Sequence, residues 1–242
     1  MKVPLPSAIF LDLDDTIVEF SALREDYWNK VTKEFAAEIS PVKHGELSSE
    51  ILIKGDWFWA DNERNKKWRL NLRQARQKIV ELAFEGLGLE DFSLAHRIAD
   101  NFSDLRERGE NMIALVPGGL DTIRYFKERG VKLALLTNGS SKSQRNKIEM
   151  FNLAHLFDHI LIEEEIGFGK PDDRIYMEAL DRLGVEAEDT WMIGDNILWD
   201  VVAPQKLGIK GIWVNFKNSE KAENVDPFLT IKSLPEIMDH VH

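Results

Sequence analysis

Five short apolar runs, each bordered by a segment with helical spacing, constrain this chain more than any other feature. Residues 8–13 read Ala-Ile-Phe-Leu-Asp-Leu. A nearly continuous run of this kind, without polar alternation, is what a strand buried on both faces of a parallel sheet requires. Residues 131–136, 159–162, 190–193 and 211–214 repeat the pattern. Residues 120–129 lead through Gly130 into the second run, residues 141–150 follow it, and residues 173–183 end at Gly184. All three read as helices. Strands alternating with helices imply right-handed crossovers, so the expected fold is α/β with a Rossmann-like open parallel sheet.

The pattern changes between residues 19 and 111. Residues 21–39, 62–87 and 92–108 read as amphipathic helices, with Trp68, Leu72, Ala75, Ile79 and Leu82 spaced by three and four and no strand signal between them. The expected organisation is an α/β core made of residues 1–18 and 114–242, with an all-helical cap, residues 19–113, inserted after the first strand. The two connections are short, and Pro117-Gly118-Gly119 is a candidate hinge.

Bulk properties exclude several classes of function. A chain of 242 residues with 43% apolar and 30% charged residues can bury a real core. Its formal net charge of −11, without a run of Lys and Arg, argues against nucleic acid or an anionic membrane as partner. The absence of cysteine removes disulfides, thiolate metal sites and cysteine nucleophiles. No apolar stretch approaches the ~20 residues that span a bilayer, and the first residues carry no signal-peptide pattern, so the expected setting is the cytoplasm. His155 and His159 stand four apart, as helical zinc ligands do, but no third ligand accompanies them and they read as ordinary histidines. Trp28, Trp57, Trp59 and Trp68, with Arg64, Lys66, Lys67, Arg69 and Arg73, are expected to form a cap core and a solvated basic face in preference to a specificity pocket.

Open α/β sheets bind ligands beyond the carboxyl ends of their strands. The first run ends in Asp12-Leu13-Asp14-Asp15-Thr16 and the second in Thr137-Asn138-Gly139; Gly169-Lys170-Pro171-Asp172 follows the third, and the fourth ends in Gly194-Asp195-Asn196, with Asp200 close behind. Acids gathered at one sheet edge repel one another unless a cation joins them. Mg²⁺ suits such a site because it prefers hard oxygen ligands and keeps waters that a phosphate can replace. Lys170, the Thr137 hydroxyl and the N–H groups of residues 137–139 can hold phosphate oxygens, and phosphoryl transfer needs chiefly positioning and charge neutralisation. Of the two acids at positions 12 and 14, one can attack phosphorus while the other moves the protons.

These residues, in this order, resemble the haloacid dehalogenase superfamily of aspartate-nucleophile hydrolases. Its first motif, Asp-x-Asp-x-Thr or Val after an apolar strand, is matched by residues 12–16; its second, a Thr or Ser after a strand, by Thr137; its third, a Lys often within Lys-Pro-Asp, by Lys170-Pro171-Asp172; its fourth, Gly-Asp with a further Asp, by Gly194-Asp195 and Asp200. The resemblance covers residues 7–214. It implies that Asp12 is the nucleophile and a Mg²⁺ ligand. Asp14 becomes the acid/base, its main-chain carbonyl also touching the metal. Thr137, Asn138 and Lys170 bind phosphate, Asp195 is the metal carboxylate, and Asn196 and Asp200 support it. Dehalogenases of the family lack an acid at the position of Asp14, because halide leaves without a proton, so the implied activity is hydrolysis of a small phosphorylated metabolite by a monomer or homodimer. One departure stands out: after Asp200 the family commonly has Gly-Ala, and this chain has Ala203-Pro204. A phosphomutase of the same fold is the alternative. A phospho-receiver domain, which also gathers Asp, Thr, Lys and Mg²⁺, fits less well because residues 163–165 are Glu where it needs an Asp, and a catalytically silent binding protein has little use for the full residue set.

Overall fold

The computed structural model describes residues 2–19, 24–108, 113–221 and 223–242. The chain divides into two compact units, one formed by Met1–Glu19 with Ala114–His242 and the other by Phe20–Ile113.

In the first unit, β1 (Ala8–Leu11), β4 (Lys132–Thr137), β5 (His159–Ile162), β6 (Thr190–Gly194), β7 (Lys210–Val214) and β8 (Leu229–Ile231) form a parallel sheet in the order β5-β4-β1-β6-β7-β8. β1 therefore lies centrally, its Leu11 aligned with Leu135 on one side and Ile193 on the other. Its residues are buried, as its unbroken apolar run requires. The strand order reverses beside β1, where β4 and β6 diverge, and this is the crevice in which open sheets bind their ligands. The five expected strands are present, within one or two residues of their sequence limits. α6 (Gly119–Glu128), α7 (Ser141–Met150), α8 (Glu163–Ile166), α9 (Asp173–Leu183) and α10 (Ala203–Gln205) connect them. One layer of the core packs Phe10, Ala134, Leu136, Leu161, Tyr176 and Met192 together from four strands and α9. β8 had no clear signal in sequence: Leu229 is only half-buried and Thr230 exposed, as suits a short edge strand.

The chain leaves this unit and returns to it through a two-stranded antiparallel pair, β2 (Val18–Glu19) and β3 (Ala114–Leu115), in which Val18 faces Leu115 and Glu19 faces Ala114. Gly118, inside the candidate hinge, has φ 77° and stands immediately before α6.

The second unit is helical among its described residues: α1 (Arg24–Glu34), α2 (His44–Ala60), α3 (Asn62–Trp68), α4 (Leu72–Leu87) and α5 (Phe92–Arg108). Three expectations need correction here. α1 ends at Glu34 and gives way to turns, while the expected start at residues 21–23 lies outside the described residues. The single helix expected over residues 62–87 is two helices, because the chain turns at Arg69-Leu70-Asn71. α2 had not been expected at all. Most of the aromatics of this unit form its core: Trp28 is buried and stacks on Phe102 at 3.8 Å and 7°, an arrangement that contributes about 0.5–1.5 kcal/mol beyond its buried area. Trp59 and Trp68 pack against that core. Trp57 is 53% exposed beneath the Arg64 guanidinium, 3.8 Å from its ring centroid. Arg73 pairs with Asp100 and Asp104.

No helix of the described residues is long and apolar enough to cross a membrane.

Candidate active site

Asp12 directly follows β1. Its N–H donates to the Ile193 carbonyl at 3.0 Å, so hydrogen bonding to β6 continues one residue past the strand and fixes where this carboxylate begins. The Leu13 carbonyl then accepts the N–H groups of Ile17 at 3.0 Å and Val18 at 2.9 Å, closing a tight loop in which Asp15 takes φ 57°. This loop takes Asp14 off the path of the strand, so the two acids do not share a strand face.

Lys170 is 1% exposed, and its Nζ donates to Asp12 Oδ1 at 2.8 Å and to Asp200 Oδ1 at 2.6 Å. Its backbone is clamped by Asn138 at the end of β4: Asn138 Nδ2 donates to the Lys170 carbonyl at 2.6 Å, and the Lys170 N–H donates to Asn138 Oδ1 at 2.8 Å. The Asn138 side chain is thus committed to placing Lys170, and only its N–H remains for the phosphate-holding role that the resemblance implied. The expectation for Gly139 fails, because its N–H donates to the buried Glu163 carboxylate at 3.0 Å. Thr137 is buried as the last residue of β4.

Gly169 makes this clamp possible. A Cβ on it would lie 2.6 Å from Asn138 Oδ1 and 2.8 Å from Glu163 Cδ, closer than atoms pack. Gly169→Ala should therefore force the clamp apart, lowering stability by about 1–3 kcal/mol, as overpacking does. Thermal melting of the variant checks this: an unchanged midpoint would mean that the loop accommodates the methyl group freely.

The fourth motif folds back on itself. β6 ends at Gly194, and a π-helical turn, Ile197–Val202, returns Asp200 beneath that end. Asn196 caps the turn, its Oδ1 accepting the N–H groups of Leu198 and Trp199 at 3.1 Å each. Asp200 is fully buried, and its Oδ2 accepts the Asn196 N–H at 3.0 Å. Gly194 permits this approach, since a Cβ there would meet Asp200 Oδ2 at 2.2 Å. Ala203-Pro204, the departure from the family pattern, continues the π-helical turn into α10, and the Trp199 carbonyl one turn before Pro204 accepts from the Tyr176 hydroxyl.

One oxygen each from Asp12, Asp195 and Asp200 come within 4.8 Å of one another. Three carboxylates thus face one ammonium. Burial pushes Asp12 up to about 7, with Lys170 opposing the rise and Asp200 adding to it. Burial raises Asp195 well above the usual carboxylate range, and the charges of Asp12 and Asp200 raise it further. Burial works to lower Lys170, but Asp12 and Asp200 outweigh it and hold Lys170 above its ordinary value. A site of buried oxygen donors whose acids resist ionisation lacks positive charge, and these residues fit a divalent cation.

Asp14 lies apart from this cluster. Both its oxygens accept from Lys147 Nζ at 2.6 Å, and Gln144 Nε2 is 3.5 Å from Oδ2. Its carboxylate is therefore engaged with α7, leaving its main-chain carbonyl for any contact with metal. Asn196 caps the turn that carries Asp200, and Asp200 also joins the cluster. Lys147 and Gln144 carry no motif in the sequence, and Glu163 is read there only as a Glu where a receiver domain needs an Asp. Polar residues on a helix read as solvated, and only the Gln-x-x-Lys spacing, one helical turn facing one way, hinted otherwise.

A family model of haloacid dehalogenase-like hydrolases matches residues 6–208. The chain belongs to the haloacid dehalogenase-like hydrolases. Within that family it is 39% identical over 162 residues to a phosphoserine phosphatase of Thermus thermophilus, a match covering 67% of this chain and 63% of that protein. It is 25% identical over 190 residues to an (S)-2-haloacid dehalogenase of a Pseudomonas species, covering 75% and 81% of the two chains. Among solved structures, a HAD-hydrolase of Bacillus subtilis, YfnB, bound to magnesium, superposes with a TM-score of 0.76 at 22% identity, covering 98% of each chain. The family is one of hydrolases, and its named relatives include both phosphatases and dehalogenases.

Proposed function

We propose that this hydrolase is a Mg²⁺-dependent phosphatase acting on small phosphate monoesters through an aspartyl phosphate formed on Asp12. The observation that carries the proposal is the pair of acids with separate partners: Asp12 buried against Lys170, and Asp14, two residues on, held by Lys147. A dehalogenating site needs only the first. A phosphate ester needs both, because its alkoxide leaves far more readily with a proton. The identity to a phosphoserine phosphatase supports the same choice.

Asp12 attacks phosphorus, a new P–O bond forming as the ester P–O bond breaks, and Asp14 gives its proton to the departing oxygen to release an alcohol. Water then attacks the phosphoryl group, Asp14 takes its proton, and the bond to Asp12 breaks to free phosphate. Lys170 holds the Asp12 carboxylate in line, and the Thr137 hydroxyl and Asn138 N–H bind phosphoryl oxygens. Mg²⁺ held by Asp12 and Asp195 would neutralise charge on those oxygens and polarise them.

Assaying a panel of phosphorylated metabolites should yield inorganic phosphate with Mg²⁺ present. Chelation should lower the rate at least about 100-fold, the equivalent of about 3 kcal/mol of lost charge stabilisation, and added Mg²⁺ should restore it. Halide release from 2-haloacids without phosphate release from any ester would overturn the proposal. Isomerisation of a hexose phosphate without net phosphate release would assign the site to a mutase.

A further inference from the structure

The phosphatase mechanism leaves one buried cation unexplained. Lys147 lies on α7 and is only 5% exposed, and Gln144, one turn earlier, is 3% exposed. Burying an ammonium costs several kcal/mol unless hydrogen bonds and an opposite charge offset it, and an apolar residue of similar length would pack the same space without that penalty. The surroundings show where the ammonium is directed. Lys147 Nζ donates to both oxygens of Asp14 at 2.6 Å and to Gln144 Oε1 at 2.9 Å. Gln144 Nε2 donates in turn to the Asn138 carbonyl at 2.8 Å, and the Asn138 side chain clamps the Lys170 backbone. A hydrogen-bonded path therefore runs from Asp14 through α7 to the backbone of Lys170, whose ammonium lies beside Asp12.

We infer that Lys147, oriented by Gln144, is the positioning residue for Asp14, holding the proton-carrying carboxylate in register with Lys170 and the nucleophile. The inference rests on the phosphatase reading and extends it to residues beyond the family motifs. Gripping both oxygens removes rotation of the carboxylate about its last side-chain bond. A positioned acid of this kind contributes roughly 10²–10⁴-fold to rate, and a displaced one forfeits part of that.

The test uses the full-length enzyme with Mg²⁺ and a series of phosphate esters whose leaving alcohols range from p-nitrophenol to a simple alkanol. The quantity read is kcat/KM, which covers steps up to the first phosphoryl transfer. Nitrophenolate departs without a proton, whereas an alkoxide does not. Lys147→Met should lose about 100-fold toward the alkyl ester and less than about 10-fold toward p-nitrophenyl phosphate, so the dependence on leaving group steepens. Gln144→Leu should steepen it in the same sense by a smaller factor, and covers the case in which Lys147→Met folds poorly. In an Asp14→Asn background, Lys147→Met should cost no further activity, since residues acting through one group are non-additive. Equal losses across the series, or losses that multiply in the double variant, would make Lys147 a structural residue and overturn the inference alone. A wild-type protein inert toward every ester overturns the phosphatase reading itself, and the inference falls with it.

Discussion

Asp12→Asn should abolish turnover while leaving the protein folded. An amide oxygen is too weak a nucleophile to displace an alkoxide from phosphorus, and removing a covalent nucleophile from a preorganised site costs at least about 10⁴-fold in kcat. Stability should respond very differently. Burial already pushes Asp12 up to about 7, so its charged form is not a strong source of stability near neutral pH. Asparagine keeps the size and an acceptor oxygen for Lys170 Nζ, which retains Asp200 at 2.6 Å. The loss of one ion pair is offset by the loss of one buried charge, and the change in folding free energy should stay within about 1 kcal/mol. Two measurements decide the matter: phosphate release under saturating substrate, and thermal melting. Acid-quenched wild type should also carry covalent phosphate that the variant lacks. A variant retaining a tenth of wild-type turnover would remove Asp12 from the role of nucleophile.

Lys170→Met should be the most destabilising single change in the site. It strips the ammonium from a pocket where Asp12, Asp195 and the fully buried Asp200 converge. Removing one partner of a buried pair costs about 3–5 kcal/mol, because the remaining charges stay buried without compensation. For a chain of this size each kcal/mol moves the midpoint by about 2–4 °C, so the metal-free variant should melt roughly 6–20 °C lower. A divalent cation bound to the folded state alone should return part of the loss, about 2.7 kcal/mol at one hundred times its dissociation constant. Activity should fall as well, since the carboxylate of Asp12 loses the group that aims it. Melting curves of wild type and variant, each with and without Mg²⁺, test the charge balance directly. Equal midpoints in all four conditions would show that Lys170 does not hold the acids together.

Much of this arrangement is written in local pattern, and some of it is not. β1, β4 and β6 are visible in the chain because central parallel strands bury both faces and so read as unbroken apolar runs. The motif acids are visible because each follows such a run, where a sheet presents its ligands. α2 escapes notice for a physical reason: Leu47, Ile51, Gly55 and Phe58 face the core, while Ile53 and Trp57 on the other side are also apolar but exposed, which blurs any 3.6-residue period. The break between α3 and α4 carries neither Pro nor Gly, and Asp61 at the start of α3, bonded to the Arg64 N–H at 2.8 Å, is a cap like many others. Lys147 and Glu163 are harder still. Whether a charged residue is buried depends on a partner far away in the chain, and Asp14 lies 133 residues from Lys147. Asp200 shows the middle case: its place after the fourth motif is plain in sequence, but its complete burial follows only from the turn that folds it under Gly194.

The paired β2 and β3 make the first unit a socket. Glu19 and Ala114 are cross-strand neighbours, roughly 5 Å apart at their Cα atoms. Whatever lies between them is a closed loop as far as the sheet is concerned, and the entropy of closing it grows only slowly with its length. A helical module, a different module or a brief linker could be spliced at this doorway without altering the register of any strand beside it. The hydrolytic machinery and the module it carries are therefore free to diversify at different rates, joined by four residues of ladder.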